Sequence, residues 1–96
     1  MSVAAAPLYE LTYSDAALTY LAAVPTLKLR KQIAAKAANL RFDPHPPKHK
    51  CLKGMMDSND RVFRVRSGDY RILYVVREQI KQIAILDIND RKDVYR

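Results

Sequence analysis

The sequence contains one cysteine, two glycines and no apolar run long enough to cross a membrane. Because Cys51 has no second cysteine to pair with, an internal disulfide is excluded and a reducing cytoplasm is the expected compartment. A membrane-spanning helix needs about 20 mostly apolar residues, so no transmembrane segment is expected. Residues 1–7 lack a basic segment and a long apolar stretch, so we also expect no secretory leader.

The remaining composition is that of a globular chain. Of the 96 residues, 49% are hydrophobic and 28% are charged, which is too apolar for a disordered protein. A second hydrophobic core would need a longer chain. We therefore expect a single domain over residues 1–96.

Positive charge is concentrated in the middle of the sequence. Residues 1–27 contain no Lys or Arg, whereas residues 28–56 contain eight of them and one acidic residue. The whole chain has a net charge of +7 and a pI near 9.8. This distribution suits a protein that binds nucleic acid or another polyanion. A basic, solvated surface without a partner is an equally open interpretation.

The residue pattern predicts an α+β fold. The predicted elements are, in order, a strand, two helices, a loop that can contain a short strand, and three strands: residues 8–13, 16–24, 26 to about 41, 43–54, 61–66, 70–77 and 80–88. Since helices and strands are grouped, we expect an N-terminal strand, an antiparallel helical hairpin and three to four antiparallel strands. The hairpin should cover one face of the sheet and leave the other partly open.

The predicted loop is rich in proline and basic residues. His45, His49 and Cys51 lie within it, but their spacing does not suit a tetrahedral metal site and no second cluster supplies a fourth ligand. We therefore predict no metal site and no cofactor.

Alternation along two strands places several arginines on the open face. Arg64 and Arg66 share a side of one strand, and Arg71 begins the next. With a short turn at Ser67-Gly68-Asp69, residues 66 and 70 should lie nearly opposite each other. Arg91 and Tyr95 follow the neighbouring strand, so their side chains are expected at the same patch.

Guanidinium groups suit phosphate because they are planar, permanently charged and able to bind two oxygens at once. A tyrosine ring stacks on a nucleobase, and its hydroxyl can transfer a proton. Such a set can cleave RNA without a metal if the 2′-hydroxyl attacks the adjacent phosphorus. Alternatively, the arginines pair with carboxylates on a solvated sheet: Asp60, Asp69, Asp87 and Asp90.

Four segments carry a resemblance to a known family: Tyr9–Ala17, Asp43-Pro44 with Leu52-Lys53-Gly54, Val65–Tyr74 and Asp90–Arg96. On these segments the chain resembles the RelE/ParE superfamily of toxins from bacterial and archaeal toxin–antitoxin modules. The resemblance implies a RelE-like βααβββ(β) fold. RelE-type members enter the ribosomal A site and cut mRNA there with basic residues and a tyrosine. It thus implies a ribosome-dependent, metal-independent endoribonuclease that inhibits translation.

The resemblance also implies site residues and partners. It gives the catalytic set as Arg64, Arg71, Arg91 and Tyr95. It gives Lys53 as a residue that helps to hold the nucleic acid. We expect four further basic residues to contact RNA or the ribosome: Lys50, Arg61, Arg66 and Lys92. A cognate RelB-like antitoxin is the implied partner, and the toxin–antitoxin complex is expected to bind its own operator DNA.

The chain departs from the family pattern at several positions. Asp90 stands where many members have histidine, and Val62 stands where a basic residue is common. Extra residues separate Gly54 from Arg61. Two other functions therefore remain open: a ParE-type toxin that binds DNA gyrase, and a degenerate member that acts only as an antitoxin-bound co-repressor.

Overall fold

The computed structural model describes residues 6–90 of the chain, which form five strands and two α-helices. In chain order these are β1 (Glu10–Tyr13), α1 (Asp15–Ala23), α2 (Leu27–Asn39), β2 (Lys50–Asp57), β3 (Asp60–Ser67), β4 (Tyr70–Arg77) and β5 (Gln82–Asp90). A 3₁₀ turn at Glu78–Ile80 separates β4 from β5. Between residues 6 and 90, neither helix is long and apolar enough to span a membrane.

Both helices begin at hydroxyl side chains. The Ser14 hydroxyl accepts a hydrogen bond from the Ala17 N–H at 3.0 Å, and the Thr26 hydroxyl accepts one from the Leu29 N–H at 3.1 Å. These bonds satisfy backbone donors that an isolated helix terminus leaves unpaired. The Ser14 hydroxyl also donates to the Leu86 carbonyl at 2.6 Å, which fixes the start of α1 to the sheet.

The strands form one mixed sheet in the order β1-β5-β4-β3-β2. β1 runs parallel to β5, and the other neighbouring strands are antiparallel. The α+β prediction, with an N-terminal strand, two helices and then strands, is confirmed. The helices lie over one face of the sheet, where their apolar side chains share one core with those of the strands.

The short strand that the loop over residues 43–54 could contain is β2, which begins at Lys50 and extends beyond the predicted segment to Asp57. β2 pairs with β3 at Lys50 and Cys51 and again at Met56, with an irregular register between them. Gly54 lies in this interval with φ of 75°, a conformation that favours glycine. The irregularity removes the period-two pattern that identifies a strand in a sequence, and the backbone of β3 supplies the pairing.

The main core lies between the helices and the facing side of the sheet. Its fully buried members come from both helices and the two central strands: Ala17, Ile33, Ala37, Ile72, Tyr74, Ile83, Ile85 and Ile88. The Tyr74 hydroxyl donates to the Pro44 carbonyl at 2.7 Å, so the proline-rich segment is fixed to the core. The rings of His45 and His49 pack on Phe63, with centroids 5.1 and 5.7 Å from it.

Candidate nucleic-acid interface

Three arginines meet on the sheet face opposite the helices. Arg71 lies on the central strand β4, and its cross-strand partners are Arg66 on β3 and Asn89 on β5. Arg64 lies two residues before Arg66, opposite Lys50 on β2. Cross-strand partners have Cβ atoms about 4.5–5.5 Å apart and share a face of the sheet. We call Arg64, Arg66 and Arg71 the arginine patch.

The register of the β3–β4 hairpin differs by one residue from the prediction. Ser67 lies opposite Tyr70, so Arg66 lies opposite Arg71 rather than residue 70. The turn contains only Gly68 and Asp69, and Gly68 has φ of 59°, as tight hairpin turns require. This register brings two guanidinium groups into one row across the strands, closer than the sequence predicted.

The arginine patch is partly buried, and its positive charges repel one another. The Nε atoms of Arg64 and Arg71 are buried, and no hydrogen-bond acceptor reaches either of them within residues 6–90. Burial lowers the pKa of Arg64, and the positive charges of Arg66 and Arg71 lower it further. No carboxylate of the described residues is among the causes of this shift. Arginine nevertheless stays protonated in proteins, so the patch keeps its positive charge and favours an anion.

Arg77 shows the opposite arrangement on the same strand and face. Its guanidinium donates to the Asp57 carboxylate at 2.7 Å and to the Asp60 carboxylate at 2.5 Å. The two hydrogen bonds and the negative charges raise the pKa of Arg77, against the effect of burial. The alternative in which arginines pair with carboxylates therefore applies to Arg77 with Asp60, which is one of the residues it named.

The structure brings together four of the predicted site residues and separates two others. Lys50 joins the patch through its place opposite Arg64. Arg61 is exposed and, by alternation with Arg64, belongs to the other face of the sheet. Lys53 is exposed in the irregular part of β2. Three predicted residues lie outside the described residues: Arg91, Lys92 and Tyr95.

Sequence reasoning missed Asn89. It ended the last strand at Ile88, whereas β5 continues to Asp90 and places Asn89 opposite Arg71. Alternation from Ile88 could have indicated it. If Ile88 is a core residue, the next residue of the strand, Asn89, faces the opposite side of the sheet. This signal was concealed by a register shift in β5 opposite Leu73 and Tyr74. The shift reverses which alternate residues of β5 face the core. The nearby Asp87 carboxylate accepts a hydrogen bond from the Ile88 N–H at 2.9 Å.

Comparison with protein families provides the identification. The sequence model of the ParE toxin of the type II toxin–antitoxin system, parDE, matches residues 11–95. The chain belongs to this toxin family. The resemblance to the RelE/ParE superfamily is thereby confirmed. None of the curated proteins searched matches the chain.

Solved structures similar to this RelE/ParE toxin are RelE proteins. The archaeal RelE–RelB complex from Pyrococcus horikoshii OT3 has 25% identity and a TM-score of 0.74, over 88% of this chain and 96% of that chain. The RelBE2 toxin–antitoxin complex from Mycobacterium tuberculosis has 23% identity and a TM-score of 0.71, over 90% and 100%. The intact RelBE complex of E. coli has 23% identity and a TM-score of 0.67, over 85% and 95%. The chain therefore has the RelE fold, as predicted.

Proposed function

We propose that this toxin is a ribosome-dependent endoribonuclease that cleaves mRNA in the ribosomal A site and thereby inhibits translation. The observation that carries the proposal is the arginine patch, in which two buried Nε donors have no acceptor. Three adjacent guanidinium groups that form no ion pair with a carboxylate of residues 6–90 match the needs of a phosphate in a charged transition state. Arg77 lies on the same strand as Arg71, but it already forms ion pairs with Asp57 and Asp60.

In the proposed reaction, the ribose 2′-oxygen forms a bond to the adjacent phosphorus and the bond to the 5′-oxygen breaks. Negative charge accumulates on the nonbridging oxygens, and the guanidinium groups of Arg71 and Arg64 stabilise it. One proton leaves the 2′-hydroxyl and one reaches the departing 5′-oxygen. Arg91 and Tyr95 are proposed to assist with charge and proton transfer, as their positions in the family imply.

The other basic residues are proposed to hold the RNA or the ribosome by charge. Arg66 lies opposite Arg71 within the patch and Lys50 lies beside the patch, opposite Arg64, so an RNA strand bound at Arg71 is proposed to extend towards them. Lys53, Arg61 and Lys92 are proposed as further contacts. Such contacts to phosphate groups contribute affinity without reading sequence.

A RelB-like antitoxin is the proposed partner, since the similar structures from three organisms are complexes of RelE with RelB or of RelBE type. We propose that the antitoxin neutralises the toxin in the cytoplasm by covering the arginine patch, and that the complex binds its own operator DNA. An acidic or amphipathic segment that folds on binding would suit such a basic surface.

Inhibition of DNA gyrase is the second candidate function. It is favoured by one observation: the family match is to the ParE toxin, while the fold matches are to RelE. A degenerate toxin that serves only as a co-repressor is the third alternative, and the substitution at Asp90 keeps it open.

The decisive experiment adds the antitoxin-free toxin to a translation reaction and maps mRNA ends by primer extension. We expect cuts in the A-site codon that require ribosomes and are lost in Arg71→Ala. Arg77→Ala is the matched control, because it removes the same group from the same strand and face but from a paired site. Intact mRNA at concentrations that still stop growth would reject the nuclease and make gyrase supercoiling the next assay. Intact mRNA without growth arrest would favour the co-repressor.

A further inference from the structure

A buried polar atom next to the arginine patch has no hydrogen-bond partner. The side-chain oxygen Oδ1 of Asn89 is buried, and none of residues 6–90 donates to it. Its cross-strand neighbour Arg71 has a buried Nε in the same condition, so these two groups do not satisfy each other. Orphaned atoms of this kind are rare, because burial removes water from a polar group without replacing it.

The unpaired atoms indicate which chemical groups a ligand at this site would present. The Nε–H groups of Arg64 and Arg71 are donors and need an acceptor, whereas Oδ1 of Asn89 is an acceptor and needs a donor. Asn89 and Arg71 are cross-strand partners with Cβ atoms about 5 Å apart, so the two needs arise on neighbouring side chains of one sheet face. A ligand that satisfies both side chains presents anionic oxygens and, close to them, an O–H or N–H group.

A ribonucleotide phosphodiester has this arrangement in every residue of the chain. Its nonbridging oxygens accept hydrogen bonds, and the 2′-hydroxyl of the adjoining ribose donates one. The DNA backbone has the same oxygens but no donor beside them. Base amino groups are donors too, but they differ between bases and have no constant position relative to the phosphate.

We infer that Asn89 accepts a hydrogen bond from the 2′-hydroxyl beside the phosphate bound by Arg64 and Arg71, and so selects RNA over DNA. This inference rests on the proposed function, because it assigns a specificity role within the same site. A neutral carboxamide does not take up a proton at ordinary pH. Asn89 therefore recognises and orients the hydroxyl, and the base that removes its proton is a different group.

The test is a titration of the full-length chain with dinucleotides, followed by NMR of the Asn89 side-chain amide. The probes are ApA, its 2′-deoxy form and its 2′-O-methyl form, which cannot donate from the 2′ position. We expect the wild type to bind ApA roughly 5- to 150-fold more tightly than either analogue, the range for an unmade hydrogen bond to a buried group. Asn89→Ala should bind all three with the affinity of the deoxy form.

Asn39→Ala provides the matched control, since Asn39 is an exposed asparagine at the end of α2. It should keep the full preference for ApA. Thermal unfolding of Asn89→Ala checks its fold, and its Tm should equal or exceed that of the wild type because an orphaned acceptor is removed. Should the alanine variant unfold, Asn89→Leu preserves the volume and carries the same expectation for binding.

Three results would overturn the inference: equal binding of the three dinucleotides by the wild type, binding of none, or an unchanged preference in the Asn89 variant. The nuclease proposal fails separately. A wild type that cuts mRNA on ribosomes but shows no preference for ApA rejects only the role of Asn89. A wild type that prefers ApA but leaves mRNA intact rejects only the nuclease.

Discussion

The open face of the sheet carries arginines at both ends of β4, and the two ends differ in what surrounds the guanidinium groups. Arg77 is held by Asp57 and Asp60, whereas Arg71 lies beside Arg66 with a buried Nε that has no acceptor among residues 6–90. The two arginines are six positions apart on one strand, which corresponds to about 20 Å. The comparison separates arginines that stabilise the fold from arginines that remain available to a ligand.

The difference follows from the register rather than from residue type. β2 and β3 meet in a tight turn that places Asp57 opposite Asp60, next to the end of β4. The β3–β4 turn at the other end places Arg66 opposite Arg71. Like charges in direct cross-strand contact destabilise a sheet, so their retention suits a function better than folding alone.

The largest expected effect concerns activity. Arg71→Ala should reduce ribosome-dependent mRNA cleavage by a factor of roughly 100 to 1,000, the usual effect of removing one group that stabilises a charged transition state. Arg77→Ala should keep cleavage within a few-fold of wild type. Rates come from single-turnover cleavage on programmed ribosomes. Equal losses of cleavage in the two variants would show that the difference in pairing between Arg71 and Arg77 has no bearing on activity.

The next effect concerns the affinity for RNA and its dependence on salt. Arg66→Ala should weaken binding to RNA oligonucleotides uniformly across sequences and lower the slope of log K against log salt by about one. Arg77→Ala should leave the slope unchanged, because the Asp57 and Asp60 carboxylates already neutralise its charge. Fluorescence anisotropy at several salt concentrations measures both. An unchanged slope in Arg66→Ala would remove that residue from the RNA contact surface.

The free energy of unfolding should change in opposite directions when arginines at the two ends of the open face are replaced. Arg64→Leu should raise the free energy of unfolding by about 1 kcal/mol, since it removes a buried donor without a partner and a like-charge repulsion. Arg77→Leu should lower the free energy of unfolding by up to about 1 kcal/mol, the usual range for partly exposed ion pairs. Urea unfolding midpoints give both values. A loss of stability in Arg64→Leu would mean that its guanidinium is satisfied in solution.

The smallest expected effect is on pH dependence at the paired end. Hydrogen bonds from Tyr9 and Lys81 hold the pKa of Glu78 below its ordinary value of 4.5. A lowered folded-state pKa contributes stability above the unfolded value, and the contribution is lost as pH falls through the folded value. Wild type should therefore lose slightly more stability than Glu78→Gln between pH 5 and the acid range near 3. Parallel thermal unfolding curves test this. Identical pH profiles would contradict the role of these hydrogen bonds.

Much of the architecture could be predicted because its signals are local. Ser14 and Thr26 cap the helices, and alternation assigns Arg64, Arg66 and Arg71 to one face. The bounds of β2 could not be predicted, because its irregular register around Gly54 removes the alternating pattern. The end of β5 was missed for a related reason, since a register shift changes the phase before Asn89.

The sequence by itself determined which residues are arginines, which side of each strand they occupy and, through motif resemblance, the toxin family. Only the tertiary structure decided that Arg77 pairs with Asp57 and Asp60, whereas Arg71 lies between Arg66 and Asn89. The physical reason is that charge compensation acts over a few ångströms between residues distant in sequence. Strand register brings such residues together, and it is set by turns and backbone hydrogen bonds across the whole sheet.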